Sequence, residues 1–377
     1  MEILLNVPQG RFQLQRLPYR KHEKLKAWDA ADEYLLNHVC EQINLTAENQ
    51  ILILNDKFGA LVNALHAFNL VAISDSWLSQ QATRTNLGNN RLSSKNIKLN
   101  SSLDWPDQSF DLVLIKIPKT LALLEDQVIR LQAVITDDTI IIAAGMVKEM
   151  SANVWKLLEK YIGPTKPSLA KKKARLIFVE TGLPRQKSIK NPYPIYYQLE
   201  NKPYQICNHA NVFSRDSLDI GTRFLLQHLP LNGRARTIVD LGCGNGVVGL
   251  MLAESHALSQ IYFVDESYMA IASTKENFNY AFPDRSAEFF VADGLTHFKA
   301  EMADLIVCNP PFHQQNTVGN QIAISMFKQA HRVLQKGGEL RVIGNRHLGY
   351  HLDLKKLFGN CIEIAANKKF VIWQVIK

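Results

Sequence analysis

The 377-residue sequence has no apolar run near the ~18 residues that would suggest a membrane span, so a helical span is excluded. Its first residues, Met1-Glu2-Ile3-Leu4-Leu5-Asn6, have neither a basic start nor a long apolar stretch, so no secretory leader is expected. Cysteine is scarce. Cys40, Cys207, Cys243, Cys308 and Cys361 are odd in number and scattered, without the paired spacing of a metal site or a disulfide framework. No metal is therefore expected, and the expected compartment is a reducing cytoplasm. Acidic residues are outnumbered: 35 Asp and Glu against 43 Lys and Arg leave a net charge of +8, which favours a polyanionic partner.

What is present is a long chain of globular composition, 46% hydrophobic and 21% charged, too long for one ordinary core. The basic charge is clustered. Lys171, Lys172, Lys173 and Arg175 fall in a window opposed only by Glu180, and Arg20 and Lys21 lie in a second cluster interleaved with Tyr19 and Trp28. Basic groups beside aromatics suit phosphates and unstacked bases; a plain solvated face is the alternative for either cluster alone. Residues 183–197 hold three prolines and three basic residues without a sustained period and read as a linker. Domains are expected over 1–182 and 198–377.

The two halves repeat one grammar of strands alternating with helices, which implies doubly wound parallel sheets and an α/β fold. Thr237-Ile238-Val239 runs into a glycine-rich turn, and Ile51-Leu52-Ile53-Leu54 runs into Asn55-Asp56-Lys57-Phe58-Gly59. Ile261 to Asp265 matches Leu70 to Asp75, each a strand ending in an acid, and Ala303 to Pro311 matches Phe110 to Pro118. In the second half, Met326 to Leu334 reads as helix, Lys336-Gly337-Gly338 as a turn and Glu339 to Ile343 as strand. An internal duplication follows. The copies differ where chemistry would sit, so the first half keeps the scaffold without the site.

In the second half, Gly242, Gly244 and Gly246 lie between a strand and a helix, where glycine lets the main chain approach a ligand. The pattern G-x-G-x-x-G alone would equally fit a nicotinamide enzyme. Asp240 closes the first strand, and Asp293 lies beyond the third, on the carboxyl edge that lines the ligand crevice of such sheets. Asn309-Pro310-Pro311-Phe312 follows the later strand. It offers an amide, main-chain carbonyls on stiffened backbone and an aromatic plate, groups suited to a flat molecule with an amino group. An amino nitrogen conjugated to a ring is a poor nucleophile. The Asn309 side-chain oxygen and the Pro310 carbonyl can each accept one of its N–H bonds and aim its lone pair, with Phe312 stacked on the base. His313 reads as a packed residue rather than a catalyst.

Asp240-Leu241-Gly242-Cys243-Gly244-Asn245-Gly246 resembles the first motif of class I S-adenosylmethionine-dependent methyltransferases. The resemblance implies that Gly242 to Gly246 wrap the methionine part of the cofactor, Asp265 takes the ribose hydroxyls and Asp293 faces the adenine amine. Asn211 to Thr222, together with Asn309 to His313 and the degenerate N-terminal copy, is similar to the bacterial ribosomal RNA guanine-N2 methyltransferases. That family has two tandem class I (Rossmann-like) domains, the N-terminal one decayed, and the resemblance makes Asp219 a cofactor contact. Length and N-terminus are most like its large-subunit enzymes, implying 23S rRNA or a ribosomal assembly intermediate as partner. The alternatives are 16S rRNA, a protein glutamine, or a non-catalytic RNA clamp.

Overall fold

The computed structural model describes residues 3–19, 23–181, 189–231, 234–311 and 317–377, without the side chains of 317–320. Phe312, His313, Arg20 and Lys21, and 183–188 of the expected linker, lie outside the described residues. The chain forms two compact units, Met1–Tyr193 and Pro194–Lys377.

The first unit's sheet has seven strands: Gln50–Leu54, Asn69–Ser74, Ile97–Ser101, Leu112–Lys116, Ile140–Met146, Thr165–Pro167 and Ala174–Val179. The second unit's are Thr237–Leu241, Gln260–Asp265, Glu288–Val291, Ala303–Cys308, Leu334–Asn345, Ile362–Ala366 and Phe370–Ile376. Numbered along the chain, both sheets run 3-2-1-4-5-7-6. In each, the seventh strand is antiparallel to its two neighbours, and the other pairs are parallel. These are two tandem Rossmann-like sheets of identical strand order, as a duplication requires.

Burial explains the apolar runs. Along the first strand, Ile51 and Ile53 enter one core cluster while Leu52 and Leu54 enter another, so helices cover both faces of the sheet. In the second unit Ile238 lies in one cluster and Val239 and Leu241 in the other, with Asp240 a buried acid between them. One expected turn differs. Lys336-Gly337-Gly338 lies within the fifth strand as an irregularity, where pairing jumps from Leu334↔Ala303 to Glu339↔Leu305. Gly337, at φ +78, donates its N–H to the carbonyl of Lys377 at 2.8 Å, so a main-chain contact far along the sequence absorbs the bend.

Around the expected linker, Ile189 packs on a core cluster of the first unit, where Asn191 bonds Asp126 at 2.6 Å and Tyr193 bonds Glu125 at 3.0 Å. Ile195–Gln198 pairs with Gln205–Asn208 in the second unit.

The register aligns the copies residue by residue. Leu54 pairs with Ile73 and Ile115; Leu241 pairs with Val264 and Cys308. The next residues therefore correspond: Asn55 to Gly242, Ser74 to Asp265, Lys116 to Asn309. The acid that sequence matching sets against Asp265 is Asp75, one position off. Ser74 and Asp265 each accept the N–H of the serine two residues on, at 3.1 and 3.0 Å, which settles the register.

Candidate active site

The turn after the first strand of the second unit needs its glycines for two reasons. Gly246 has φ +80, and a Cβ there would stand 2.6 Å from Thr274 Cγ2. Gly244 has φ +57, yet a Cβ would meet nothing within 4 Å, so its main chain borders open space. Side chains of a neighbouring helix help hold this turn: the Thr274 hydroxyl donates to the Gly244 carbonyl at 2.9 Å, and Asn277 Nδ2 donates to the Asn245 carbonyl at 2.9 Å.

Asp265 ends the second strand, and its Oδ2 accepts the Gly244 N–H at 3.0 Å. Asp240 lies 3% exposed, and its Oδ2 accepts the Gly249 N–H at 2.8 Å. Burial pushes its carboxyl up to about 7; the Gly249 N–H opposes this and the charge of Asp265 adds to it. Asp293 follows the third strand, beside Ala292, whose N–H reaches the Asp265 carbonyl at 2.9 Å. Its carboxyl is raised by burial against a lowering from His297.

Asn309 follows the fourth strand, with Pro310 buried after it. Its Nδ2 donates to Thr222 Oγ1 at 2.9 Å. Its Oδ1 is buried without a hydrogen-bond partner among the described residues. An acceptor left this way costs ~1–3 kcal/mol, which a ligand donor would recover. Asp219 caps the helix Ile220–Leu226, its Oδ2 accepting from Thr222 N at 2.8 Å and Thr222 Oγ1 at 3.3 Å. The second unit thus gathers Gly242, Gly244, Gly246, Asp265, Asp293 and Asn309 at the carboxyl ends of its strands, with Asp240 beneath the turn and Asp219 behind Asn309.

The first unit fills the same positions differently. Lys116, standing where Asn309 does, places Nζ 2.8 Å from Asp29 and 2.7 Å from Asp32. Burial pulls the ammonium's pKa down, but the two carboxylates outweigh it and leave it raised. Asp56 accepts the N–H groups of Gly59, Ala60, Leu61 and Val62 at 2.9–3.1 Å, closing the helix start with the chain's own carboxylate. Ion pair and carboxylate occupy what the other copy leaves open.

The methyltransferase small domain family matches residues 203–374, and the RLMG N-terminal domain family matches residues 2–182. The ribosomal RNA large subunit methyltransferase G of Erwinia tasmaniensis is 50% identical, covering 97% of this chain and 96% of its own. That of Psychromonas ingrahamii is 47% identical over 100% of both chains. The chain belongs to the ribosomal RNA large subunit methyltransferase G family. A solved T. thermophilus 16S rRNA N2 G1207 methyltransferase, in complex with AdoMet and guanosine, is 19% identical and shares the fold at a TM-score of 0.77, covering 99% of this chain and 97% of its own.

In this methyltransferase G family member both basic clusters belong to the first unit. Lys171, Lys172 and Lys173 are exposed in the hairpin between the sixth and seventh strands, and Arg175 is half-buried beyond it. Lys171 stands over the Tyr34 ring at 4.8 Å, and Lys172 pairs with Glu33 at 3.0 Å. Sequence reading passes over Thr222, Thr274 and Asn277. The signal for two of them lies in the duplication: Ser76, Thr83 and Asn86 recur at the same spacing as Ser267, Thr274 and Asn277. Asn86 Nδ2 reaches the Phe58 carbonyl at 2.8 Å just as Asn277 reaches Asn245. Among the described residues, Cys207, His209 and Glu276 also come together, joined by Cys207–Glu276 and His209–Glu276 hydrogen bonds of 3.0 and 3.1 Å.

Proposed function

We propose that this protein methylates the exocyclic N2 amine of a guanine in ribosomal RNA, 23S rRNA of the large subunit, with S-adenosylmethionine as donor. The observation that carries the reading is the buried Asn309 Oδ1, without a hydrogen-bond partner among the described residues, beside an open glycine turn. The large-subunit name borne by relatives that span the whole chain supports the choice of 23S. The donor supplies an electrophilic methyl group on a sulfonium.

Gly242, Gly244 and Gly246 line its methionine part, Asp265 takes its ribose hydroxyls and Asp293 its adenine amine. Asp240 contributes from below by bonding Gly249, and Asp219 through the helix cap that meets Asn309. Asn309 Oδ1 and the Pro310 carbonyl accept the two N–H bonds of the guanine amine. The lone pair is thereby drawn out of conjugation and aimed. No strong base is needed before attack, because the proton becomes acidic only as the methyl transfers. Alignment of this kind supplies up to ~7–11 kcal/mol of the barrier. Phe312 stacks on the target base, which must leave its own stack to be reached. Residues 1–182 form the decayed domain that binds RNA through Lys171, Lys172, Lys173, Arg175, Arg20 and Lys21, 183–197 link it to the rest, and 198–377 carry catalysis. Its setting is the cytoplasm, with ribosomal RNA; no helix among the described residues is long and apolar enough to cross a membrane.

The test is incubation with a methyl-labelled donor and 23S or 16S rRNA, naked or in ribosomal particles, followed by digestion to nucleosides. Label in N2-methylguanosine from 23S rRNA is expected. Label only in adenine overturns the guanine assignment, and label only in 16S rRNA overturns the subunit assignment.

A further inference from the structure

Asn309 hydrogen-bonds the helix Ile220–Leu226 at Thr222, and the proton count along that contact has a direction. Asp219 Oδ2 accepts from the Thr222 hydroxyl at 3.3 Å and from the Thr222 N–H at 2.8 Å. A carboxylate only accepts, so the single hydroxyl proton of Thr222 is committed to Asp219. The hydroxyl oxygen then offers Asn309 lone pairs alone. It can take the amide NH2 end but not the carbonyl end, which accounts for the 2.9 Å contact from Nδ2. Oδ1 is turned the opposite way, into the buried position where it has no partner among the described residues.

We propose that Thr222, backed by Asp219, is a positioning residue that sets the amide orientation of Asn309 and so presents Oδ1, not Nδ2, to the amine that is methylated. The inference rests on the proposed function and adds to it the device that keeps the acceptor aimed. An amide turned round would face that amine with two N–H donors, donor against donor. Without the hydroxyl, the two ends of the amide have nearly equal shape, and among the described residues no other hydrogen bond tells them apart.

The first unit supports this independently. There the helix cap is Asp29, the third residue of the helix is Asp32, and the residue after the fourth strand is Lys116. These are the positions of Asp219, Thr222 and Asn309. The same three-point contact exists, with Lys116 Nζ 2.8 and 2.7 Å from the two carboxylates. A second carboxylate in place of the hydroxyl, and a cation in place of the amide, turn all donors inward. The contact thus recurs in both copies, and of the two only the threonine–asparagine pair leaves an acceptor pointing out of it.

The experiment compares Thr222→Val, Thr222→Ser, Asn309→Ala and the double variant Thr222→Val/Asn309→Ala in the full chain. The readouts are single-turnover methylation of rRNA, donor affinity by calorimetry, and melting temperature. Thr222→Val is expected to lower turnover about 10- to 100-fold, the scale of a misplaced reacting group. Donor affinity and the KM for RNA should stay within about threefold, and Thr222→Ser should restore most of the rate. Because Thr222 acts through Asn309, adding Thr222→Val to Asn309→Ala should cost less than about threefold more. Unchanged turnover in Thr222→Val with Asn309→Ala inactive overturns the positioning role and leaves the proposed function standing. So does a full additional loss in the double variant, or a Thr222→Ser protein as slow as Thr222→Val. Wild-type turnover in Asn309→Ala overturns both. If Thr222→Val melts early, the serine variant and the double-variant comparison, made below its melting temperature, still decide the matter.

Discussion

Removing the Lys116 ammonium while keeping its bulk, as in Lys116→Met, tests whether the decayed site holds the first unit together. Lys116 is buried, bridging Asp29 at 2.8 Å and Asp32 at 2.7 Å. Burial drives Asp32 up, while Lys116 overcomes the burial of Asp29 and holds that carboxyl below its usual value. Without the cation, two carboxylates remain close together, with only the weaker pull of Lys57 on Asp29 against them. Breaking a buried pair by removing one partner costs about 3–5 kcal/mol. That is a large share of the ~5–15 kcal/mol that stabilises a typical domain. The deficit has a sign in pH. With Lys116 gone, both folded-state carboxyl pKa values rise, that of Asp29 from below its unfolded value and that of Asp32 from already above it. The variant therefore gains relative to wild type as pH falls from 7 towards 4, because its folded-state carboxyls take up protons before those of the unfolded chain do. Urea melts of the full chain at several pH values, followed by a probe in the first unit, measure this. The neutralised Asp29→Asn/Asp32→Asn/Lys116→Met protein, which keeps a capping side chain at position 29, should recover most of the loss. A Lys116→Met protein within about 1 kcal/mol of wild type at pH 7 would refute the electrostatic reasoning, because a buried uncompensated pair cannot be that cheap.

Other outcomes follow from the second unit and the basic hairpin. Gly246→Ala should cost more than Gly244→Ala, because both have positive φ, worth ~1–2 kcal/mol for a residue with a Cβ, but only Gly246 would also press on Thr274 at 2.6 Å; equal melting losses would contradict this. Asp240 has a folded-state pKa raised to about 7, so its contribution is fully present below the unfolded value near 3.8 and is lost as pH rises to 7. Asp240→Asn should flatten the fall in second-unit stability over that window, as read from thermal melts, and an unchanged slope would show that the carboxyl ionises normally. Replacing Lys171, Lys172 and Lys173 with alanine should weaken rRNA binding and shrink its salt dependence by ~0.7–0.9 for each phosphate no longer neutralised. Donor affinity should hold, and Lys172 should matter least because Glu33 pairs with it; an unaltered salt slope would remove the hairpin from the RNA interface.

Much of the fold was legible because strand and helix signals are local. Ile51 to Leu54, and Ile238, Val239 and Leu241 around Asp240, are apolar because both faces of the sheet are covered, and that leaves a pattern readable in a few residues. The glycine turn was legible for a similar reason: positive φ at Gly242, Gly244 and Gly246 is a covalent constraint that only certain residues meet without strain. The exact match of the copies was not. Asp75 stands against Asp265 by type, yet strand pairing puts Ser74 there. A register is set by hydrogen bonds between strands, and residue type alone does not carry it. The Lys336-Gly337-Gly338 bend also escaped as a strand irregularity, because the hydrogen bond that absorbs it ends on the distant carbonyl of Lys377.

The sequence by itself determined the α/β class, the duplication, the family, and the chemical types available at the site: a glycine turn, three strand-end acids and an amide before two prolines. Those are properties of short segments, and short segments write them plainly. Only the tertiary structure decided what each group faces. It buried Asp240 under the turn, tied Asp265 to Gly244, filled the first unit's site with Lys116 and two acids, and turned the Asn309 amide through Thr222, 87 residues away. An amide has two ends of nearly the same shape, and which end points outward depends on a proton held by a neighbour that no local pattern reveals.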